Sequence, residues 1–190
     1  MSQSAGRETR QSTVLVELVD GGGATIGTRE KLAAHRPPGE PHRAFSVFLF
    51  SSDGRMLLQR RAEGKYHSPG VWSNTCCGHP LPEEPPFLAA TRRTVEELGV
   101  APWSLRPAGT VRYDLEDPRS GLVEREFNHL FVGRVADTPR PDPEEVAETT
   151  LVTPDGLRGL QKETEFSVWF ETVLNAASPE IRRLVPEHLW

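Results

Sequence analysis

Residues 78–100 read GHPLPEEPPFLAATRRTVEELGV, and this stretch decides how the rest of the chain is read. A loop opens at Gly78, Glu84 follows, and a segment carrying Arg92, Arg93, Glu96 and Glu97 runs up to Gly99. Leu88, Ala89, Val95 and Leu98 fit a helical period over 86–98, with Pro86 tolerated in the first turn and Gly99 as the stop. Such a helix sets Arg93 and Glu97 one turn apart on one face. There the carboxylate can hold a divalent cation beside an anion that Arg93 also touches. An Arg–Glu pair at i,i+4 is common on solvated helices. The information lies in the whole spacing from Gly78 to Val100.

On either side of this stretch the chain alternates strands with turns. Val14, Leu15, Val16 and Val19 predict a strand ended by Asp20-Gly21-Gly22-Gly23. Two β-like runs, 44–50 and 55–60, flank Ser51-Ser52-Asp53-Gly54 as a hairpin. Residues 69–79 mix loop and strand. Strands are predicted over 109–113 and 123–135 around the turn at Asp117-Pro118-Arg119-Ser120-Gly121, and another over 148–152. Pro139, Pro141 and Pro143 mark a surface loop, and helical segments follow over 155–160 and 167–177. Residues 1–12 are polar and predict a disordered tail before a single domain over 13–190.

Composition narrows the function classes. The chain has 190 residues, enough for one sizeable core. Its 22 basic and 27 acidic residues give a net charge of −5, which argues against nucleic acid as a partner. With 36% hydrophobic residues there is no membrane span, and the opening stretch lacks the apolar core of a secretory signal, so the expected location is the cytoplasm. The only cysteines, adjacent at Cys76 and Cys77, suit a reducing compartment and cannot build a disulfide framework.

A second group of residues has metal-ligand chemistry: His35, His42 and His79, with Glu124 and Glu126. Two residues apart on a strand, Glu124 and Glu126 project from one face and can address one ion. Imidazoles with carboxylates suit Mn²⁺ or Zn²⁺ better than Mg²⁺, which prefers oxygen. No pairwise spacing among these five is diagnostic by itself.

The spacing over 78–100 resembles the Nudix box. It departs at the position after the first arginine, where Nudix hydrolases carry a glutamate and this chain carries Arg93; hydrolysis loses a carboxylate, while diphosphate binding does not. Glu30-Lys31-Leu32-Ala33-Ala34-His35, Pro41-His42-Arg43-Ala44-Phe45-Ser46, Arg60-Arg61-Ala62, Gly70-Val71-Trp72-Ser73-Asn74 and Cys77-Gly78-His79-Pro80 together resemble the type I isopentenyl-diphosphate isomerases. The similarity runs from about Thr13 to Ala177. It implies an α/β fold, a Nudix-like αβα sandwich with a mixed sheet, and interconversion of isopentenyl and dimethylallyl diphosphate, a small-molecule isoprenoid substrate. The resemblance leaves the oligomeric state open.

Carried over residue by residue, the family's metal site falls on His35, His42, His79, Glu124 and Glu126, and its Mg²⁺ glutamate on Glu97. The implied cofactors are Mg²⁺ and a second divalent ion, Mn²⁺ or Zn²⁺. The diphosphate contacts fall on Lys31, Arg61, Lys65 and Arg93, the catalytic cysteine on Cys77, the catalytic glutamate on Glu126, the assisting tyrosine on Tyr113 and the pocket tryptophan on Trp169. Cys76 has no matched role. Chemistry agrees with this set, because shifting an unactivated double bond needs proton donation and proton removal at neighbouring carbons. On this assignment Glu126 or Tyr113 delivers the proton and a Cys77 thiolate takes one. The rival readings are a Nudix hydrolase of a diphosphate and a non-catalytic Nudix-fold binding module.

Overall fold

The computed structural model describes residues 14–65, 67–185 and 190; the tail expected over 1–12 lies outside the described residues. The chain forms strands β1 (Leu15–Val19) and β2 (Thr25–Glu30), a short helix α1 (Lys31–His35), and strands β3 (His42–Phe50), β4 (Met56–Arg61), β5 (Trp72–Ser73) and β6 (Cys76–Gly78). Helix α2 (Pro86–Leu98), strands β7 (Trp103–Glu116), β8 (Val123–Arg134) and β9 (Val146–Val152), and helices α3 (Pro154–Glu163) and α4 (Phe170–Leu184) complete it.

The sheet is organised around β3. Along one edge β3 runs parallel to β8, from His42 beside Glu126 to Phe50 beside Arg134. Along the other edge it meets three strands in turn, all antiparallel: β1 at His42, β6 over residues 45–47 and β4 at residues 49–50. Strand β7 extends the sheet beyond β8, and β9 extends it beyond β4. One parallel pair among antiparallel ones makes the sheet mixed, as expected.

Side-chain alternation along β3 and β8 creates two apolar layers. Phe48, Phe50, Leu130 and Val132 pack with Phe170, Val173, Ala177 and Ile181 of α4 on one face. Phe45, Val47, Leu49 and Phe131 pack with Ala89, Ala90 and Leu98 of α2 on the other. A fully buried side chain of this size contributes about 1.5–3 kcal/mol, so both helices are held by the sheet rather than by helix propensity. The result is a helix–sheet–helix sandwich.

Helix α2 has the predicted bounds. Pro86 stands in its first turn, and Gly99 closes it in the left-handed region at φ 64°, where its N–H reaches the Val95 carbonyl. The buried face differs from the expectation. Leu88 and Val95 are 54% and 44% exposed, while Ala89, Ala90, Thr94, Glu97 and Leu98 are buried. Small residues let the helix lie close to the sheet, and the buried stripe carries Glu97 inward.

Other differences have local causes. Strand β2 has almost no apolar alternation, since Ile26 is its one large hydrophobic residue and is exposed; it forms by pairing with β1. Helix α1 has only five residues and is held by the Glu30 carboxylate, which accepts from the backbone N–H of Leu32 and Ala33. Strand β7 is much longer than 109–113 because the ladder with β8 carries it. Helix α4 starts later than 167 and continues through Pro179, anchored on both sides by buried Ala177 and Ile181. Among the described residues no helix is long and apolar enough to cross a membrane.

Candidate active site

A cavity of about 630 Å³ opens where α1, β6, α2 and the first halves of β3 and β8 meet. Register explains the convergence. His42 begins β3 directly beside Glu126 of β8, Tyr113 of β7 stands opposite Glu126, and Cys77 of β6 pairs with Ser46 of β3. Four neighbouring strands thus bring residues separated by tens of positions into one region.

The histidines gather on one side. Ligand atoms of His35, His42, His79 and Glu126 all lie within 4.8 Å of one another. Nδ1 of His35 is 2.6 Å from the Lys31 carbonyl, and Nδ1 of His42 is 2.7 Å from the Glu40 carbonyl. A carbonyl only accepts, so both rings carry their proton on Nδ1 and turn an Nε2 lone pair inward. Nε2 of His42 is 3.2 Å from Nε2 of His79, which in turn is 3.1 Å from Glu126 Oε1. Glu124 lies outside the tight group but close by, its Oε2 being 3.4 Å from His35 Nε2.

This donor set fits a divalent cation. Buried atoms without a hydrogen-bond partner include His35 Nε2, His79 Nδ1 and Glu124 Oε1, and an ion would satisfy such orphaned lone pairs. Burial lowers His42 to a pKa of about 4 and pushes His79 well below its usual value, so both rings are neutral at neutral pH. Burial raises Glu124. Burial also works against the Glu126 carboxylate, but hydrogen bonds from His79 and Tyr113 outweigh it and hold the group ionised.

Between the histidines and the cations lie the groups with proton chemistry. The Tyr113 hydroxyl donates to Glu126 Oε2, and Asn128 Nδ2 donates to both, at 2.9 Å to Tyr113 and 3.0 Å to Glu126. Burial pushes the Cys77 thiol up to about 11, against the pull of Arg61, whose Nη1 is 3.8 Å from Sγ. The thiol, rather than the thiolate assumed from sequence, is therefore the resting form at neutral pH. Trp169 caps α4 and is buried; its Nε1 donates to Asn74 Oδ1 at 3.3 Å, and the Arg61 guanidinium lies 5.4 Å from its ring centroid.

The cations form a second cluster. Arg93 Nη2 donates to Glu97 Oε1 at 2.6 Å and to Glu145 Oε1 at 3.0 Å. Lys65 donates to the other oxygen of Glu145. Gln59 Nε2 donates to Glu97 Oε2 at 3.3 Å, and Cys76 Sγ lies 3.6 Å from the same oxygen. Arg61 is fixed by the carbonyls of His67 and Ser68. Lys31 lines the same cavity, its pKa lowered by burial and then by the charge of Arg61.

All the site residues expected from sequence thus meet in one region. Sequence reasoning passed over Glu145, Asn128 and Gln59. For Asn128 a signal existed, because it continues the i, i+2 face of Glu124 and Glu126. Glu145 had none, standing after the prolines of a predicted surface loop.

Comparison with known proteins agrees with this arrangement. Residues 40–173 match the NUDIX domain. The isopentenyl-diphosphate delta-isomerase of Streptomyces griseus is 66% identical over 171 residues, covering 90% of this chain and 87% of that protein. That of Nocardia farcinica is 44% identical over 169 residues, covering 88% and 96%. A crystal structure from Deinococcus radiodurans superposes with a TM-score of 0.67 at 22% identity over 85% of this chain and 98% of that one. The MutT NUDIX hydrolase of Burkholderia pseudomallei superposes with a TM-score of 0.57 at 22% identity, covering 72% and 97%. The two structures share the fold, and the two sequences share far more. The chain belongs to the NUDIX domain family and, within it, to the isopentenyl-diphosphate delta-isomerases.

Proposed function

We propose that the protein interconverts isopentenyl and dimethylallyl diphosphate by protonation and deprotonation through a tertiary carbocation. The observation that carries this reading is the pairing, in one cavity, of the Cys77 thiol with the Tyr113–Glu126 hydrogen bond, beside a cluster of cations. A proton joins the terminal methylene carbon, the positive charge falls on the branched carbon, and a proton leaves the methylene on its other side. The reaction needs one group that holds a proton and one that lacks it. Cys77 as thiol and Glu126 as carboxylate meet that need: the thiol gives its proton to the alkene, Glu126 takes one from the methylene, and proton exchange with solvent restores both groups after release.

Lys31, Arg61, Lys65 and Arg93 bind the diphosphate in this reading and leave the hydrocarbon between Cys77 and Glu126. The Trp169 ring offers the carbocation a π face worth about 0.5–2 kcal/mol. Water has to be kept from the carbocation, which it would trap as an alcohol. His35, His42, His79, Glu124 and Glu126 would hold Mn²⁺ or Zn²⁺, and Glu97 would hold Mg²⁺. Bound there, the ions supply charge that tunes the Glu126 carboxylate and neutralises the diphosphate. The free thiols of Cys76 and Cys77 suit the reducing cytoplasm.

Arg93 occupies the position where a Nudix hydrolase carries a glutamate, which disfavours diphosphate cleavage. Incubation with isopentenyl diphosphate and Mg²⁺ in D₂O tests the reading. Deuterium should appear in dimethylallyl diphosphate without phosphate release; phosphate release without isomer would replace this function with hydrolysis, and no turnover would leave a binding module.

A further inference from the structure

Glu145 is a carboxylate inside the cavity for which the proposed reaction has no use. Its two oxygens are divided between two cations: Oε1 accepts from Arg93 Nη2 at 3.0 Å and Oε2 accepts from Lys65 Nζ. A phosphate group divides its oxygens between basic side chains in the same way. These are two of the four cations assigned above to the diphosphate, so the substrate and Glu145 compete for the same partners.

The carboxylate is delivered to a fixed place by its backbone. The Glu145 carbonyl accepts from Ala62 N–H at 3.0 Å, and its own N–H donates to the Asp142 carbonyl at 3.0 Å. The side chains remain reachable, with Lys65 21% and Glu145 26% exposed. Charge makes the consequence sharper. Lys65 and Arg93 are each positive and Glu97 and Glu145 each negative, so the charges of these four side chains cancel and the pull of Lys65 and Arg93 on an anion is offset. Burial raises the Glu145 pKa, but the hydrogen bonds and charges of Lys65 and Arg93 overcome it and hold the group at about 2, so it is a full anion at any working pH.

We infer that Glu145 is a positioning residue that stands in for the diphosphate, holding Lys65 and Arg93 in their binding geometry and yielding them when substrate arrives. The inference rests on the reading of Lys65 and Arg93 as diphosphate contacts. Its cost is weaker anion affinity, and its gain is a binding site whose long cationic side chains are already ordered. It also screens the site against anions too weak to displace a carboxylate.

Titration calorimetry with inorganic pyrophosphate, in the presence of a magnesium chelator, tests this. Glu145→Gln removes the competing charge and nearly preserves shape, and it should tighten pyrophosphate binding about five- to tenfold. Arg93→Ala should weaken binding. If Arg93→Ala leaves affinity untouched, the diphosphate assignment fails; if Arg93→Ala weakens binding but Glu145→Gln does not tighten it, the stand-in role fails alone. A crystal structure of the unsubstituted protein with pyrophosphate gives a check that needs no variant. Glu145 should have parted from both Lys65 and Arg93, and a carboxylate still bridging them beside bound pyrophosphate would overturn the inference.

Discussion

The two polar clusters of the cavity are built on opposite plans. Around His42 the side chains are buried and their ligand atoms lie within 4.8 Å of one another, while His35 Nε2, His79 Nδ1 and Glu124 Oε1 lack a hydrogen-bond partner. Around Arg93 opposite charges alternate, in a chain from Lys65 through Glu145 and Arg93 to Glu97. In the proposed reading the first cluster takes up a cation, and the second is opened by an anion. The difference follows from desolvation: neutral imidazoles can be buried with unmet lone pairs at moderate cost, whereas unpaired buried guanidinium or ammonium groups cannot.

The largest expected effect lies between the clusters. Cys77→Ala should lower turnover by at least about 10³-fold, the range of a lost acid–base group, while Cys76→Ala keeps most of it. Cys76 is buried in the core beneath α2, with its Sγ 3.6 Å from Glu97 Oε2. Steady-state assays of both variants decide this, and equal inactivation would remove Cys77 from its role.

The histidine cluster should fail through its metal. His42→Ala should lower transition-metal content and activity together, by about 100-fold in metal affinity, without unfolding the domain. Elemental analysis beside circular dichroism measures both. Full activity in protein shown to contain no transition metal would break the contrast, leaving the histidines as ordinary polar residues.

The paired cluster should fail through binding instead. Lys65→Ala or Arg93→Ala should raise KM by about tenfold or more and lower kcat less, because each group holds phosphate and moves no proton. A fall in kcat with KM unchanged would place the diphosphate elsewhere.

The smallest effect sharpens the same comparison through pH. Glu145 has a folded pKa of about 2 against an ordinary 4.5, so its pairing contributes stability that is present above pH 4.5 and lost as pH falls towards 2. Discounted for solvent screening, the contribution is about 1 kcal/mol. Urea unfolding should show the unsubstituted protein ahead of Glu145→Gln by that amount near pH 5.5 and by only a small part of it near pH 2.5. A constant difference across the range would mean that the carboxylate is not held by charge.

Much of the fold was legible along the chain. Pro86 and Gly99 bound α2 because a missing N–H and a left-handed φ act within one or two residues of the helix end. The β-like run over 44–50 and the strand predicted over 123–135 placed β3 and β8 to within two residues of their ends. Strand β2 and helix α1 were not legible, since one rests on the ladder with β1 and the other on a single capping carboxylate. For the site, the motif positions named the residues and could not name their states.

By itself, therefore, the sequence determined the strand–helix alternation, the ends of α2 and the identities of the ligand, acid–base and phosphate-binding candidates, all of which depend on local geometry or on side-chain chemistry. Only the tertiary structure decided which face of α2 turns inward, that Tyr113 lies against Glu126, that Cys77 rests as a thiol, and that Glu145 holds Lys65 and Arg93. Those outcomes depend on burial and on charges brought close by residues as far apart as Lys65 and Glu145, and the free energy of a charge depends on its neighbours in space rather than along the chain.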